Sequence, residues 1–174
     1  MIDYQNEIEF GEVQKPKRPT FLLVLCILSF VYIGLSWIST LTSFISGPLN
    51  DKALKLQRIE IAKILEPIKT SGDNSVAETL NTFIRMTEGI NENFYAFNLV
   101  YLVVIALGFI AVFFMFQGKR LGFHLYIGYG LFNILRYYLF LPAADIISFL
   151  IVWELFFASL FTILYSRNLH WMDN

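Results

Sequence analysis

Four long apolar stretches occupy most of the chain and restrict what it can fold into. They cover residues 21–46, 97–116, 121–141 and 146–165. Each is close to the ~20 apolar residues with which an α-helix crosses ~30 Å of hydrocarbon. The stretches are apolar on every face, as expected of helices that are surrounded by lipid or wholly buried. Because a chain of 174 residues is too small to bury four such helices in a soluble core, the sequence predicts a membrane protein.

The composition narrows the classes of function. Charged residues make up 16% of the chain, against about a quarter in soluble domains, and they lie almost entirely outside the apolar stretches. The net charge of −1 provides no positive field for nucleic acid, so we expect no nucleic-acid partner. The single cysteine, Cys26, cannot form an internal disulfide, and we interpret it as a small packing residue.

Basic residues close to the stretches indicate their orientation. They are Lys15, Lys17, Arg18, Lys119, Arg120 and Arg167, whereas the turn at 141–144 carries none. Short basic loops stay in the cytoplasm, and long loops such as 47–94 count for less in this rule. We therefore expect both termini to be cytoplasmic. The first stretch is longer than the 7–15 residues of a signal-peptide core, which predicts an uncleaved anchor.

The segment 15–35 reads KPKRPTFLLVLCILSFVYIGL. It resembles the start of a group of small four-span bacterial inner-membrane proteins of unknown function, which share a K-P-x-R-P-T-F-L-x-V-L-C-I-L opening. The resemblance implies a location in a bacterial inner membrane, and it brings no catalytic residue with it.

The segment 47–94 predicts two amphipathic helices joined by a tight turn. Apolar residues recur at helical spacing up to residue 69, and residues 70–73 are typical of a turn. Ser75 and Glu78 then form a capping-box pattern. One face of the second helix carries Val76, Leu80, Phe83, Ile84, Thr87 and Ile90. We expect this face to pack on the first helix, on lipid headgroups or on a partner, and we predict it as the main contact surface.

The third and fourth stretches carry an intramembrane polar cluster of Tyr129, Asn133, Arg136, Asp145 and Glu154. Arg136 lies roughly 8 Å below the end of its helix, so its long side chain can extend to the interface. Glu154 lies roughly 13 Å deep and must be paired, protonated or in contact with a polar cavity. We predict a tie from Arg136 to Asp145 or Glu154. The alternatives are a proton or ion relay that uses Glu154, with Tyr129, Asn133 and Arg136 along its path, and a lipid or substrate site between the helices.

Together these patterns predict an all-α integral membrane protein, an antiparallel four-helix transmembrane bundle with an extracytoplasmic helical hairpin between spans one and two. The predicted segments are a cytoplasmic arm (1–20), four spans (21–46, 95–117, 121–141 and 145–166), the hairpin (47–94) and a cytoplasmic tail (167–174).

No sequence motif points to catalytic residues, a cofactor or a metal site, and we expect none of them. The predicted function is that of a non-enzymatic subunit or scaffold in the lipid bilayer, acting through a protein partner or as a homo-oligomer. The alternative is a proton or ion transporter or channel component that uses Glu154 and Arg136.

Overall fold

The structure, a computed structural model, describes residues 19–70 and 74–172. Over these residues it contains no strand, and its helices are α1 (Thr20–Ser46), α2 (Asp51–Thr70), α3 (Asn74–Glu92), α4 (Phe94–Phe116), α5 (Arg120–Phe140) and α6 (Ser148–Ser166), with a 3-10 turn at Ala143–Asp145. The all-α prediction is confirmed. Most of the predicted arm (1–18), the last three residues of the predicted turn (71–73) and the last two residues of the tail lie outside the described residues.

Three helices, α1, α4 and α6, are long and apolar enough to cross a membrane. They present large apolar side chains outwards, for example Ile45 at 85% and Phe149 at 70% exposure, which is favourable in lipid and unfavourable in water. Helix α5 is also long enough, at 21 residues, but it is not among these three, because residues such as Asn133 and Arg136 make it more polar. This composition is that of a membrane protein.

Helix α4 packs along both α1 and α5, and the main core lies where these three helices meet. Its most deeply buried side chains include Leu22, Cys26, Ile33, Ile105, Val112 and Met115. A Cβ on Gly122 would lie 2.5 Å from the carbonyl oxygen of Ala111, so the backbones of α4 and α5 are in close contact there. Gly118, with a φ of 83°, reverses the chain between the two helices, which makes them antiparallel neighbours.

Helix α6 packs mainly on α5 and touches α1 at fewer points. A Cβ on Gly130 would lie 3.1 Å from the Cβ of Ala158, which shows how closely α5 and α6 approach. The link to α1 is a buried hydrogen bond of 2.9 Å between the hydroxyls of Ser29 and Tyr165. Next to this hydrogen bond, α1 and α6 leave space between them.

The chain after α6 folds back under the connection between α4 and α5. Arg120 Nε donates a hydrogen bond of 2.8 Å to the carbonyl oxygen of Met172, and the ring of Trp171 packs on Gly118. This end of the bundle, opposite the α2–α3 pair, therefore holds the beginning of α5 together with the end of the described chain.

Helices α2 and α3 pack on each other and form a pair next to the bundle. The Asn91 side chain bridges its base, accepting from the Leu49 N–H at 2.7 Å and donating to the Leu49 carbonyl at 3.0 Å. An ion pair joins Arg58 of α2 to Glu88 of α3, and this hydrogen-bonded carboxylate raises the pKa of the Arg58 guanidinium. These contacts fix the two helices relative to each other at their base.

Candidate functional site

Arg136 of α5 is enclosed by aromatic rings and is only 5% exposed. The centre of its guanidinium lies 3.5 Å from the ring centroid of Tyr101, 4.6 Å from that of Tyr137 and 5.4 Å from that of Phe97. A desolvated cation over an aromatic face gains about 2 kcal/mol or more. The rings of Phe97 and Tyr101 on α4 hold the guanidinium inside the bundle.

Glu154 of α6 faces this arginine. Its Oε1 lies 3.6 Å from an Arg136 terminal nitrogen, which is too long for a strong direct hydrogen bond. The Tyr137 hydroxyl closes the gap, since it accepts from Arg136 at 2.7 Å and donates to Glu154 Oε1 at 3.1 Å. Asn133 Nδ2 donates to the other carboxylate oxygen at 3.2 Å. We call Asn133, Arg136, Tyr137 and Glu154 the arginine network.

Helical spacing explains why three of the four members come from α5. Asn133, Arg136 and Tyr137 are three and four residues apart, so they lie on one side of the helix. Arg136 Nε also donates to the Asn133 carbonyl at 3.0 Å, which fixes the direction of the side chain. Asn133 Oδ1 is buried and has no hydrogen-bond partner within the described residues, at a cost of about 1–3 kcal/mol.

Two residues of the predicted cluster lie apart from this network. Asp145 accepts a hydrogen bond of 2.7 Å from Arg85 Nε of α3, so its carboxylate is not the partner of Arg136. The reason is the 3-10 turn at Ala143–Asp145, which packs against α3. Tyr129 lies one turn from Asn133, with its ring against Gly108 of α4. Of the predicted residues, the structure thus brings together Asn133, Arg136 and Glu154.

The sequence analysis did not identify Tyr137 and Tyr101. Tyr137 follows Arg136 directly and is four residues from Asn133, so the helical spacing of polar groups could have identified it. Tyr101 lies on α4 in an almost wholly apolar stretch, and only the packing of α4 on α5 places it over the guanidinium.

A cavity of about 470 Å³ adjoins the network, between α1, α5 and α6. Its inner wall includes Ile33, Tyr126 and Tyr129, which are all less than 9% exposed. Its rim includes Leu28 and Tyr32 of α1 and Trp153 of α6, each more than half exposed. Glu154 and Asn133 also line it and connect it to the arginine network. The cavity therefore opens sideways, between α1 and α6, onto the apolar surface of the bundle.

The residues of the predicted contact face on α3 lie in three different surroundings. Val76 and Phe83 are exposed, Leu80, Ile84 and Thr87 are partly buried, and Ile90 packs on a second core formed around Met86, Phe97, Tyr137, Leu141 and Ile146. The division arises because α3 has two neighbours, α2 on one side and the 3-10 turn with α4 on the other. Val76 and Phe83 are the most exposed members of this face, at 41% and 42%.

Helix α3 is also fastened to the bundle. The Arg85–Asp145 ion pair joins it to the connection between α5 and α6. Nearby, Met86 is buried against Leu141, and a Cβ at Gly89 would collide with the Leu141 side chain. The α2–α3 pair is thus held at a fixed position relative to the membrane-type helices.

Residues 16–162 match the family model described as Domain of unknown function (DUF8777). The chain belongs to the DUF8777 family. Comparison with curated proteins gave no match, and comparison with solved structures gave none either. The DUF8777 match includes the whole arginine network and every residue that lines the cavity, and it ends just before Tyr165, the α6 partner of Ser29.

No three histidine, cysteine or acidic side chains in residues 19–70 and 74–172 come together in a group that could hold a metal ion. The candidate site consists of the Arg136–Glu154 ion pair, its tyrosine and asparagine partners, and a mainly apolar cavity beside them.

Proposed function

We propose that this protein is a non-enzymatic, four-span subunit or scaffold of a bacterial inner membrane, which acts through a protein partner bound to its α2–α3 pair. In this proposal α1, α4, α5 and α6 are the spans, and α2–α3 is an extracytoplasmic helical hairpin. Both termini are cytoplasmic.

The hidden polar groups of α5 support its assignment as the fourth span. A charged side chain facing hydrocarbon is costly, whereas one enclosed by protein is tolerated. Arg136 is enclosed by aromatic rings and balanced by Glu154, while the exposed positions of α5 are largely apolar, for example Leu131, Leu135 and Leu139. The connections to α4 and α6 are short, so α5 runs antiparallel to both apolar neighbours.

The distribution of basic residues supports the orientation. Lys119, Arg120 and Arg167 lie at the end of the bundle opposite the α2–α3 pair, since Arg120 is hydrogen-bonded to Met172 of the chain end. Short basic segments are retained in the cytoplasm, which supports a cytoplasmic position for this end and an extracytoplasmic one for the α2–α3 pair.

The fixed attachment of α3, with exposed apolar side chains beside it, is the observation that carries the proposed role. Asn91, Arg85 and Met86 hold the pair at its base and against the bundle. Phe83 and Val76 remain exposed on the same helix. A surface that is already ordered loses little conformational entropy when it binds, so a preformed aromatic anchor favours a protein contact.

The transport alternative rests on Glu154, the acidic side chain beside the cavity. A relay requires this carboxylate to exchange protons or ions with both sides of the membrane. Instead it accepts hydrogen bonds from Tyr137 and Asn133 and balances the charge of Arg136. The geometry favours a tie between α5 and α6 over a conducting path.

Site-specific photo-crosslinking tests the proposed role. Phe83 is replaced by p-benzoylphenylalanine, which keeps an aromatic ring at the position, and the matched control carries the same replacement at Phe149 of α6. We expect a discrete crosslink from position 83 to a protein of another mass, which is lost when Val76→Asp is added, and no such crosslink from position 149. A crosslink from position 83 to a second copy of this chain would show that the α2–α3 pair contacts a homo-oligomer and not another protein. Equal results at the two positions contradict the proposal.

A further inference from the structure

We propose that the cavity between α1, α5 and α6 binds an uncharged lipophilic alcohol, which enters from the bilayer and donates a hydrogen bond from its hydroxyl group to Glu154. This inference uses the four-span arrangement, and it does not depend on a partner at the α2–α3 pair.

The position of the opening indicates where a ligand comes from. The rim residues Leu28, Tyr32 and Trp153 are more than half exposed on the sides of apolar helices, where lipid surrounds a membrane protein. The buried Ser29–Tyr165 hydrogen bond joins α1 to α6 on one side of the cavity, away from the α2–α3 pair. Access is therefore lateral, so the ligand is a molecule that dissolves in the membrane.

The size and lining of the cavity suit a mainly apolar small molecule. Its volume of about 470 Å³ is roughly three times that of an engineered apolar cavity of ~150 Å³ that stays dry and accepts benzene. It also lies in the range of ~300–1,000 Å³ that is typical of small-molecule sites. Aromatic rings, among them Tyr126, Tyr129 and Phe157, form much of its surface. An apolar chain or ring system of moderate size suits this space.

The Glu154 carboxylate provides the cavity with a hydrogen-bond acceptor that can accept further hydrogen bonds. An ionised carboxylate has about four lone-pair positions. At Glu154 the Tyr137 hydroxyl and the Asn133 amide each occupy one, and 19% of the side chain is still accessible. A ligand hydroxyl in the cavity can donate to a remaining position. A ligand without a donor leaves this acceptor unmatched.

The charge balance selects an uncharged ligand. Glu154 is the only charged residue among the described residues that line the cavity, and Arg136 already balances it. An anionic headgroup would be repelled by the carboxylate, and a cationic one would compete with Arg136 and leave one buried positive charge without a partner. Diacylglycerols, straight-chain alcohols and polyprenols share the required chemistry, namely one free hydroxyl group on an apolar body.

Photolabelling in a defined bilayer tests the proposal. The full chain is reconstituted in phosphatidylcholine nanodiscs, and hexadecanol with a mid-chain diazirine is the probe. The control probes are its methyl ether, which lacks the donor, and the fatty acid of the same length. We expect saturable labelling of peptides from α5 and α6 by the alcohol, with an apparent affinity roughly tenfold above that of the ether, as for loss of one hydrogen bond to a charged group. Unlabelled hexadecanol, a diacylglycerol and a polyprenol are then tested as competitors of the labelled probe. The strongest competitor identifies the class of lipophilic alcohol that the cavity binds.

Matched substitutions on α1 locate the binding site. Leu28→Trp places a larger side chain on the rim, and Leu35→Trp makes the same change two turns further along the same face, outside the cavity. Both positions are more than half exposed, so both variants are expected to fold. Loss of saturable labelling in Leu28→Trp with retention in Leu35→Trp supports the proposal. The proposal is overturned if labelling does not saturate, if it is equal for the alcohol and the ether, or if it is unchanged in Leu28→Trp. This outcome is independent of the result of crosslinking at Phe83.

Discussion

The guanidinium of Arg136 lies 3.5 Å from the ring centroid of Tyr101, so an arginine on the more polar helix α5 is covered by an aromatic ring from the apolar helix α4. This contact explains how a charged residue is accommodated in a bundle of membrane-type helices. The positive charge is screened from lipid by the ring, and it is balanced on the other side by Glu154. Both contacts can be tested separately.

Tyr101→Leu removes the ring, and Tyr101→Phe keeps it. We expect the leucine variant to lose about 2 kcal/mol or more of unfolding free energy, because the cation–π contact of a desolvated arginine is lost. The phenylalanine variant should lose much less. Unfolding in mixed detergent micelles, followed by circular dichroism, provides the comparison. Equal losses in the two variants would show that the ring face does not stabilise Arg136.

Glu154→Gln tests the tie between α5 and α6. It leaves the buried charge of Arg136 without a counter-ion, and we expect a loss of about 3–5 kcal/mol of unfolding free energy. The double variant Arg136→Met with Glu154→Gln removes both charges and should recover most of this loss, which a double-mutant cycle with the two single variants measures. If losses of the single variants simply add in the double variant, the two side chains do not act as a pair.

The same substitution separates the tie from an ion relay. In proteoliposomes we expect no proton or ion flux above that of protein-free vesicles, for the wild-type chain and for Glu154→Gln alike. A flux that is present in the wild type and absent in a folded Glu154→Gln variant would establish the transport alternative.

Two glycines of α5 provide a matched test of helix packing. A Cβ at Gly122 would lie 2.5 Å from backbone atoms of Ala111 and Met115, so Gly122→Ala forces α4 and α5 apart. A Cβ at Gly128 would point into open space, and alanine there favours the helix by roughly 0.5–1 kcal/mol. We expect Gly122→Ala to lose more than about 2 kcal/mol of unfolding free energy and Gly128→Ala to be neutral or stabilised. The opposite order would contradict the α4–α5 contact.

The Arg85–Asp145 ion pair should affect motion more than stability. Both side chains are partly exposed, and such pairs contribute about 0–1 kcal/mol. Asp145→Asn is therefore expected to change the unfolding free energy little, while amide hydrogen exchange in α3 becomes faster, because one attachment of the helix is weakened. Arg58→Gln, which breaks the pair between α2 and α3, serves as the control and should leave the contact of α3 with the α5–α6 connection unchanged. Unchanged exchange in Asp145→Asn would show that this pair does not hold α3 to the bundle.

Local sequence patterns were sufficient to predict the all-helical class, because it follows from hydropathy. They were also sufficient to predict that Glu154 requires a partner, because this follows from its depth along the helix. They left the choice between Asp145 and Glu154 open. That choice depends on Arg85, sixty residues away from Asp145, and on the 3-10 turn that faces it. The position of Tyr101 depends likewise on how closely Gly122 lets α4 approach α5.

The contact face on α3 shows a second limit of periodicity. The spacing from Val76 to Ile90 describes one apolar stripe, but it does not tell how many neighbours share that stripe. In the structure α2 and the bundle each cover a part of it and leave Phe83 exposed. The cavity also depends on the separation of α1 and α6, which no local pattern encodes.

The most direct test of the account is the sidedness of α5, because the four-span arrangement, the orientation of the α2–α3 pair and the lateral cavity all depend on it. Single cysteines are placed at exposed positions in a Cys26→Ala background, by Lys63→Cys on α2, Lys119→Cys before α5 and Ala144→Cys after it. A membrane-impermeant maleimide is then added to intact spheroplasts. The account predicts labelling of the cysteines at 63 and 144, and labelling at 119 only after the membrane is permeabilised. Labelling of 119 and 144 from the same side would show that α5 does not cross the membrane and would contradict the account.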